Sequence, residues 1–149
     1  MDYIWYFAYG SNLNKKQVIE RINDYKKSKP AILKDYKLTF NIYSDARNGG
    51  VADIIKSEND KVYGAIYLIP KKDYEKVEKT GLMSGRYKKK EVNVLVNEEI
   101  ISAKTFEVVN KNDFIKPSES YLNTIIEGLK DHGYNNEVIR KVKHIANKE

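Results

Sequence analysis

The stretch from Lys61 to Ile69 constrains the fold of this 149-residue chain more than any other. Its apolar side chains fall on both faces: Val62, Ile66 and Leu68 on one, Tyr63, Ala65 and Tyr67 on the other. A strand of that kind must be covered on both sides, so it is expected at the centre of a sheet. Pro70 ends it and suits the first turn of a helix, expected over about 71–79.

The remaining pattern is that of a small α+β domain. Residues 3–9 read as a first strand, and 31–43 as a long one in which Tyr36, Leu38, Phe40 and Ile42 alternate with Lys37, Thr39 and Asn41. Lys26 to Lys29 read as a polar connection ending at Pro30. Val51 to Ile55 is a further strand, with Glu58-Asn59-Asp60 as a hairpin turn after it. Strands are also expected over 87–96 and 100–108, joined at Asn97-Glu98. Helices are expected over 15–22, from Pro117-Ser118 to about His132, and after Asn135 or Asn136. Gly81 to Gly85 reads as a flexible link. About six strands with short turns and peripheral helices hide their edges most simply as one mostly antiparallel β-barrel, a single domain over 1–149.

Composition removes several kinds of chemistry. There is no cysteine, hence no thiolate site, and the two histidines, His132 and His144, are read as surface or helix-end residues rather than metal ligands. No apolar run reaches the roughly 18 residues of a membrane span and no leader is evident, so a cytoplasmic protein with no membrane partner is expected. The formal charge is +6, but only Arg21, Arg47, Arg86 and Arg140 contribute arginine. The run Lys88-Lys89-Lys90 therefore reads as a solvated strand face, and no nucleic-acid partner is expected.

What remains for chemistry is tyrosine, carboxylate, lysine and one turn. The first strand runs into Gly10-Ser11-Asn12 just before a helical start, which leaves backbone N–H groups free to hold an anion or a polarised carbonyl. An ordinary strand-to-helix turn fits the same letters. On the helix at 71–79, Glu75 has Lys71 and Lys79 one turn away, whereas Glu78 has Tyr74 and Leu82. A carboxyl near aromatic rings can act as acid and base in turn.

Tyr6-Phe7-Ala8-Tyr9-Gly10-Ser11-Asn12-Leu13 resembles the signature of the γ-glutamylcyclotransferase family. The likeness continues in order through Leu33–Phe40, Gly50–Ile54, Val62–Tyr67, Tyr74–Glu78, Ser84-Gly85-Arg86-Tyr87 with Glu91–Val94, and Pro117–Tyr121 with the helix to Gly133. It implies a small β-barrel with flanking helices and the release of 5-oxoproline from γ-glutamyl compounds. Carried over by position, it implies Glu78 as the acid/base. The implied pocket residues are Tyr6, Phe7, Ala8, Tyr9, Gly10, Ser11, Asn12 and Leu13, with Tyr87 and Tyr121. The family's glutamate is usually followed by glycine; here Lys79 follows Glu78, and the next glycine is Gly81, so Glu75 stays open beside Glu78.

The implied chemistry needs no cofactor: the substrate's α-amine attacks its own γ-carbonyl, so the protein has to fold the glutamyl chain, stabilise an oxyanion and move protons. The partner is a small γ-glutamyl molecule, with the protein a monomer or homodimer. Two other readings are open: removal of a γ-glutamyl protecting group from a carrier-bound or amine intermediate, and a non-catalytic basic binding module.

Overall fold

The computed structural model describes residues 2–22, 24–83 and 85–148. Five strands close into a barrel: β1 (Tyr3–Ala8), β2 (Lys27–Ser44), β3 (Gly49–Pro70), β4 (Tyr87–Val96) and β5 (Glu99–Val108). Their order around it is β1-β3-β2-β4-β5, with β1 joined to β5 by a parallel contact at Tyr6 and Lys104 and the other neighbours antiparallel. Four helices flank it: α1 (Lys15–Ile22), α2 (Lys71–Met83), α3 (Glu119–Asp131) and α4 (Asn136–Ala146). A single 3-10 turn, Ser11–Leu13, links β1 to α1.

The two-sided apolar run lies where it was expected. Val62, Ala65, Ile66, Tyr67 and Ile69 are buried, and this half of β3 pairs with β1 on one side and β2 on the other. The separate strands and turn expected around 58–60 are instead one continuous β3. Asn59 is left-handed at φ 69°, but its partner strand carries a matching left-handed residue, Asp35 at φ 63°. Asn59 N–H donates to the Asp35 carboxylate at 3.1 Å, and the pairing shifts register between Lys34 and Tyr36. Turn residues on facing strands make a bulge that bends the pair rather than reversing the chain. A second shift between Phe40 and Ile42 bends it again. Long strands bent twice can reach around a barrel of only five.

Other differences are of extent. β2 starts at Lys27, so Pro30 lies within it, opposite Ala65. α2 continues to Met83, taking in part of the expected link; Ser84, quoted in the family likeness, lies outside the described residues. The Asn97-Glu98 turn is present, with Asn97 at φ 57°. Ser118 and Asn135 cap α3 and α4, accepting from Tyr121 N–H and Val138 N–H respectively. His132 closes α3 but is buried rather than on the surface, its Nδ1 2.9 Å from the Gly128 carbonyl. No helix among the described residues is long and apolar enough to cross a membrane.

Candidate functional site

One mouth of the barrel is a pocket of about 310 Å³. The ends of β1, β2 and β5 and the starts of β3 and β4 meet there, with α1, α2 and α3 around the rim. The Gly10–Asn12 turn forms part of its wall. Leu13 N–H and Asn14 N–H bond back to the Gly10 and Ser11 carbonyls, so the N–H groups of Ser11 and Asn12 precede the turn's own ladder. Gly10 packs closely here: a Cβ would stand 3.2 Å from the Ala52 Cβ and 3.3 Å from the Tyr121 hydroxyl, so both neighbours would have to give way slightly.

The tyrosines are held in place by their hydroxyls. Tyr6 accepts from Asn12 Nδ2 at 3.0 Å, and Tyr9 donates to the Phe106 carbonyl at 2.7 Å. Tyr121 reaches back from α3 to accept from Ala52 N–H at 3.0 Å, which leaves its own hydrogen available to the pocket it lines. Burial raises the hydroxyl pKa of all three, Tyr121 to about 12, and Asp53 pushes Tyr9 further. Burial also raises Tyr87, against the opposing pull of Arg86. These four pocket tyrosines are hydrogen-bond donors at neutral pH, not bases.

The pocket's charge is positive. Arg21, Arg47, Arg86 and Lys76 line it, and no aspartate, glutamate or histidine does so among the described residues. Arg47 donates to Gln17 Oε1 at 2.7 Å and to Ser11 Oγ at 3.3 Å, and its guanidinium sits 5.2 Å from the Tyr121 ring centroid. Arg21 donates to Asn12 Oδ1 at 3.1 Å. Gln17 ties both to the turn by donating to Ser11 Oγ and Asn12 Oδ1. Burial and the neighbouring Arg47 charge together lower the pKa of Arg21. Below the pocket wall, buried Asp53 accepts from Asn41, Val108 N–H and Lys111 at 2.7–3.0 Å. Lys111 also pairs with Glu107, which pairs with Lys90.

The residues expected at the site divide into two groups. Tyr6, Tyr9, Gly10, Ser11, Asn12, Tyr87 and Tyr121 meet at this pocket although the first and last of them lie 115 residues apart in sequence. Phe7, Ala8 and Leu13 do not line it; each is at most 1 % exposed and belongs to the core. Nor does Glu78 line it. The residues of α2 that do are Lys76, Val77 and Thr80, and at about 100° per residue Glu78 lies about 160° around the helix from Thr80. Its carboxylate faces β4, 3.7 Å from Lys89 Nζ. Glu75 is exposed and also absent from the lining. Sequence reasoning missed Arg21, Arg47 and Phe106, which stand in none of the quoted segments, and Ala52, which stands within Gly50–Ile54 but was assigned no role. It also missed Thr80, although Gly81, directly after it, was the available signal.

Comparison with known proteins agrees with the fold. The model of the AIG2-like family matches residues 61–141. The chain is 32% identical over 146 residues to a γ-glutamylcyclotransferase of Bos taurus, covering 94% of this chain and 77% of that protein. It is likewise 32% identical over 146 residues to the Homo sapiens γ-glutamylcyclotransferase, with the same coverage. A solved structure described as a γ-glutamyl cyclotransferase superposes with a TM-score of 0.88 at 30% identity, over 99% of this chain and 90% of that one. YkqA from Bacillus subtilis gives 0.84 at 26% identity, over 99% of this chain and 55% of that one.

Proposed function

The chain belongs to the AIG2-like, γ-glutamylcyclotransferase family, and from that premise we propose that it converts a γ-glutamyl amino acid, peptide or amine to 5-oxoproline and a free amine. It is an enzyme of the γ-glutamylcyclotransferase-like type. The observation that carries the substrate reading is the pocket itself. A strand-to-helix turn with N–H groups outside its own ladder lies beside two guanidiniums and a ring of protonated tyrosines, a setting built for a carboxylate and a developing oxyanion.

The steps follow from that arrangement. The glutamyl α-carboxylate is held at the Gly10–Asn12 turn and the adjoining guanidiniums. The chain folds so that the α-amine stands over the γ-carbonyl, and much of the barrier is met by that positioning. The ammonium gives up a proton, and the nitrogen lone pair forms the ring C–N bond while the carbonyl electrons move onto oxygen. The Tyr121 hydroxyl, or an N–H of the turn, donates to that oxyanion. Collapse breaks the bond to the departing amine, which leaves with a proton.

The test is a panel of γ-glutamyl-alanine, a γ-glutamyl-lysine-type amide and glutathione, followed for 5-oxoproline by mass spectrometry. Product from at least one is expected; none from any substrate overturns the reading. The family likeness gives the acid/base role to Glu78, which here would have to act from the β4 side of α2. Glu78→Gln decides that role. Turnover slowed by about 100-fold or more, with an unchanged melting temperature, gives proton transfer to Glu78, and retained turnover removes it from the reaction.

A further inference from the structure

Cyclisation needs a proton acceptor for the ammonium, and the described residues of the pocket wall offer no carboxylate or histidine. Among the described residues, those that line it are tyrosines, arginines, a lysine, hydroxyls, small amides and apolar groups. Burial holds the tyrosines protonated. The helix that carries the expected carboxylate presents a different face: Lys76 and Thr80, one turn apart, look into the pocket with Val77 beside them. The Thr80 hydroxyl donates to the Lys76 carbonyl at 2.9 Å, an ordinary intrahelical bond that neither supplies nor requires a proton.

We propose that Thr80 occupies the place on α2 from which an acid/base residue would serve the reacting amine, and that this chain works there without a carboxylate. The proposal rests on the cyclisation reading. The ammonium passes its proton to water or hydroxide, not to a side chain. The neutral amine attacks the γ-carbonyl, and the departing amine takes a proton back from water, so the balance is closed by solvent alone. The pocket's cations help with the first step. Arg21 and Arg47 hydrogen-bond to neutral amides and a hydroxyl, Asn12, Gln17 and Ser11, and a site lined by positive charge disfavours a bound ammonium. Positioning and oxyanion stabilisation remain the protein's own contribution.

Two features of catalysis follow. Turnover by the natural chain should rise about tenfold per pH unit through the neutral range, because only the deprotonated amine reacts and no carboxylate or histidine among the described residues lines the pocket to accept its proton. A carboxylate placed at residue 80 should take over that task. Position 80 is solvent-exposed, so Thr80→Glu leaves the core untouched.

The experiment measures turnover against pH, from about 5 to about 9, with γ-glutamyl-alanine for the natural chain and Thr80→Glu. The expected result is a steep alkaline rise for the natural chain. Thr80→Glu should turn over about 100-fold or more faster at neutral pH, on a profile that levels off above the carboxylate's titration. A natural profile already level across the neutral range, or no gain from Thr80→Glu, overturns the proposal. A readout independent of turnover is the proton count on binding γ-glutamyl-alanine, from calorimetry at neutral pH in buffers of different ionisation enthalpy. Binding should release a proton from the natural protein and less from Thr80→Glu, where the new carboxylate pairs with the ammonium. Equal counts overturn the proposal. Absence of both binding and 5-oxoproline with either protein refutes the cyclisation reading itself, and the proposal falls with it.

Discussion

Removing one oxygen from Tyr121 separates what holds the barrel mouth together from what holds the ligand. The residue is 4 % exposed, and its ring stands edge-on to Phe40 at a centroid distance of 6.4 Å. Phenylalanine would keep that packing. What disappears is the acceptor for Ala52 N–H, a donor at the start of β3 that lies 3.0 Å from the hydroxyl. A buried donor left without a partner costs about 1–3 kcal/mol. For a chain of this length each kcal/mol lowers Tm by about 2–4 °C, so Tyr121→Phe should melt about 2–12 °C lower. The ligand loses a neutral hydrogen bond worth about 0.5–1.5 kcal/mol, or about 2- to 12-fold in kcat/KM. Urea unfolding and steady-state kinetics on the same preparations give both numbers. Tyr134→Phe is the control. Its hydroxyl donates to the Ala31 and Gly64 carbonyls at 3.1 and 2.6 Å, away from the pocket, so stability should fall while kcat/KM stays as it was. A Tyr121→Phe protein as stable as the natural one, or one whose kcat/KM falls no further than that of Tyr134→Phe, would refute the double role.

Two further changes probe the support behind the mouth. Burial lowers the pKa of His132 against the opposing effect of its bond to Gly128, with Lys15 lowering and Asp131 raising it by smaller amounts. The unfolded chain therefore takes up the proton first, and the stability carried by neutral His132 is full above about pH 6.5. It is lost as pH falls through that value towards the folded pKa, at no more than about 1.4 kcal/mol per pH unit. Unfolding free energies measured about one unit above and one unit below that value should show this loss, and His132→Phe, which keeps an aromatic ring against Tyr67, should remove that part of it. Gly128→Ala tests the docking of α3 on the turn. The new methyl would strike the backbone of Leu13 and Asn14, which cannot rotate away. The change should cost about 1–3 kcal/mol in unfolding free energy, enough to outweigh a helix-propensity gain of about 1 kcal/mol; a net stabilisation would refute the contact.

The sequence is most readable where one local rule decides the outcome. The apolar run at 61–69, the caps at Ser118 and Asn135, and the Gly10–Asn12 turn follow from short-range chemistry, and each is found where expected. Reading failed where two distant segments had to be known together. Asn59 forms a bulge and not a hairpin because Asp35 faces it across the strand pair. Phe7 and Ala8 stand within the signature, yet the barrel encloses them, while Tyr6 and Tyr9 reach the mouth. Arg21 and Arg47 join the site only because Gln17 and the turn link α1 to the β2–β3 connection. The phase of α2 was the costliest ambiguity. At about 100° per residue Tyr74, Val77 and Leu82 span roughly 140°, an arc that contains Glu78 and not Thr80, so the letters favour Glu78 on the inward face, whereas the pocket lies beyond Val77 on the side of Lys76 and Thr80.

The distribution of charge explains why that phase matters. Among the described residues, Asp53 pairs with Lys111, Glu107 with Lys90 and Lys111, and Glu78 with Lys89, whereas Asp73 stands 3.5 Å from Lys76, which itself lines the pocket. The hydrogen bonds of Arg21 and Arg47 go to neutral acceptors in Asn12, Gln17 and Ser11, which orient the guanidiniums, and the Glu20 charge acts on Arg21 in the opposite sense to Arg47. Holding two cations close together beside a pocket is unfavourable until an anion enters; burial first, and the Arg47 charge second, lower the pKa of Arg21. On the proposed function a glutamyl carboxylate would relieve it, so the charge that destabilises the empty mouth would become the affinity of the filled one. A carboxylate on the inner face of α2 would cancel part of this field and strengthen the hold on the ammonium. Threonine at that position keeps the field intact, which on the proposed reading favours the neutral nucleophile while leaving the described wall of the mouth without a carboxylate to accept its proton.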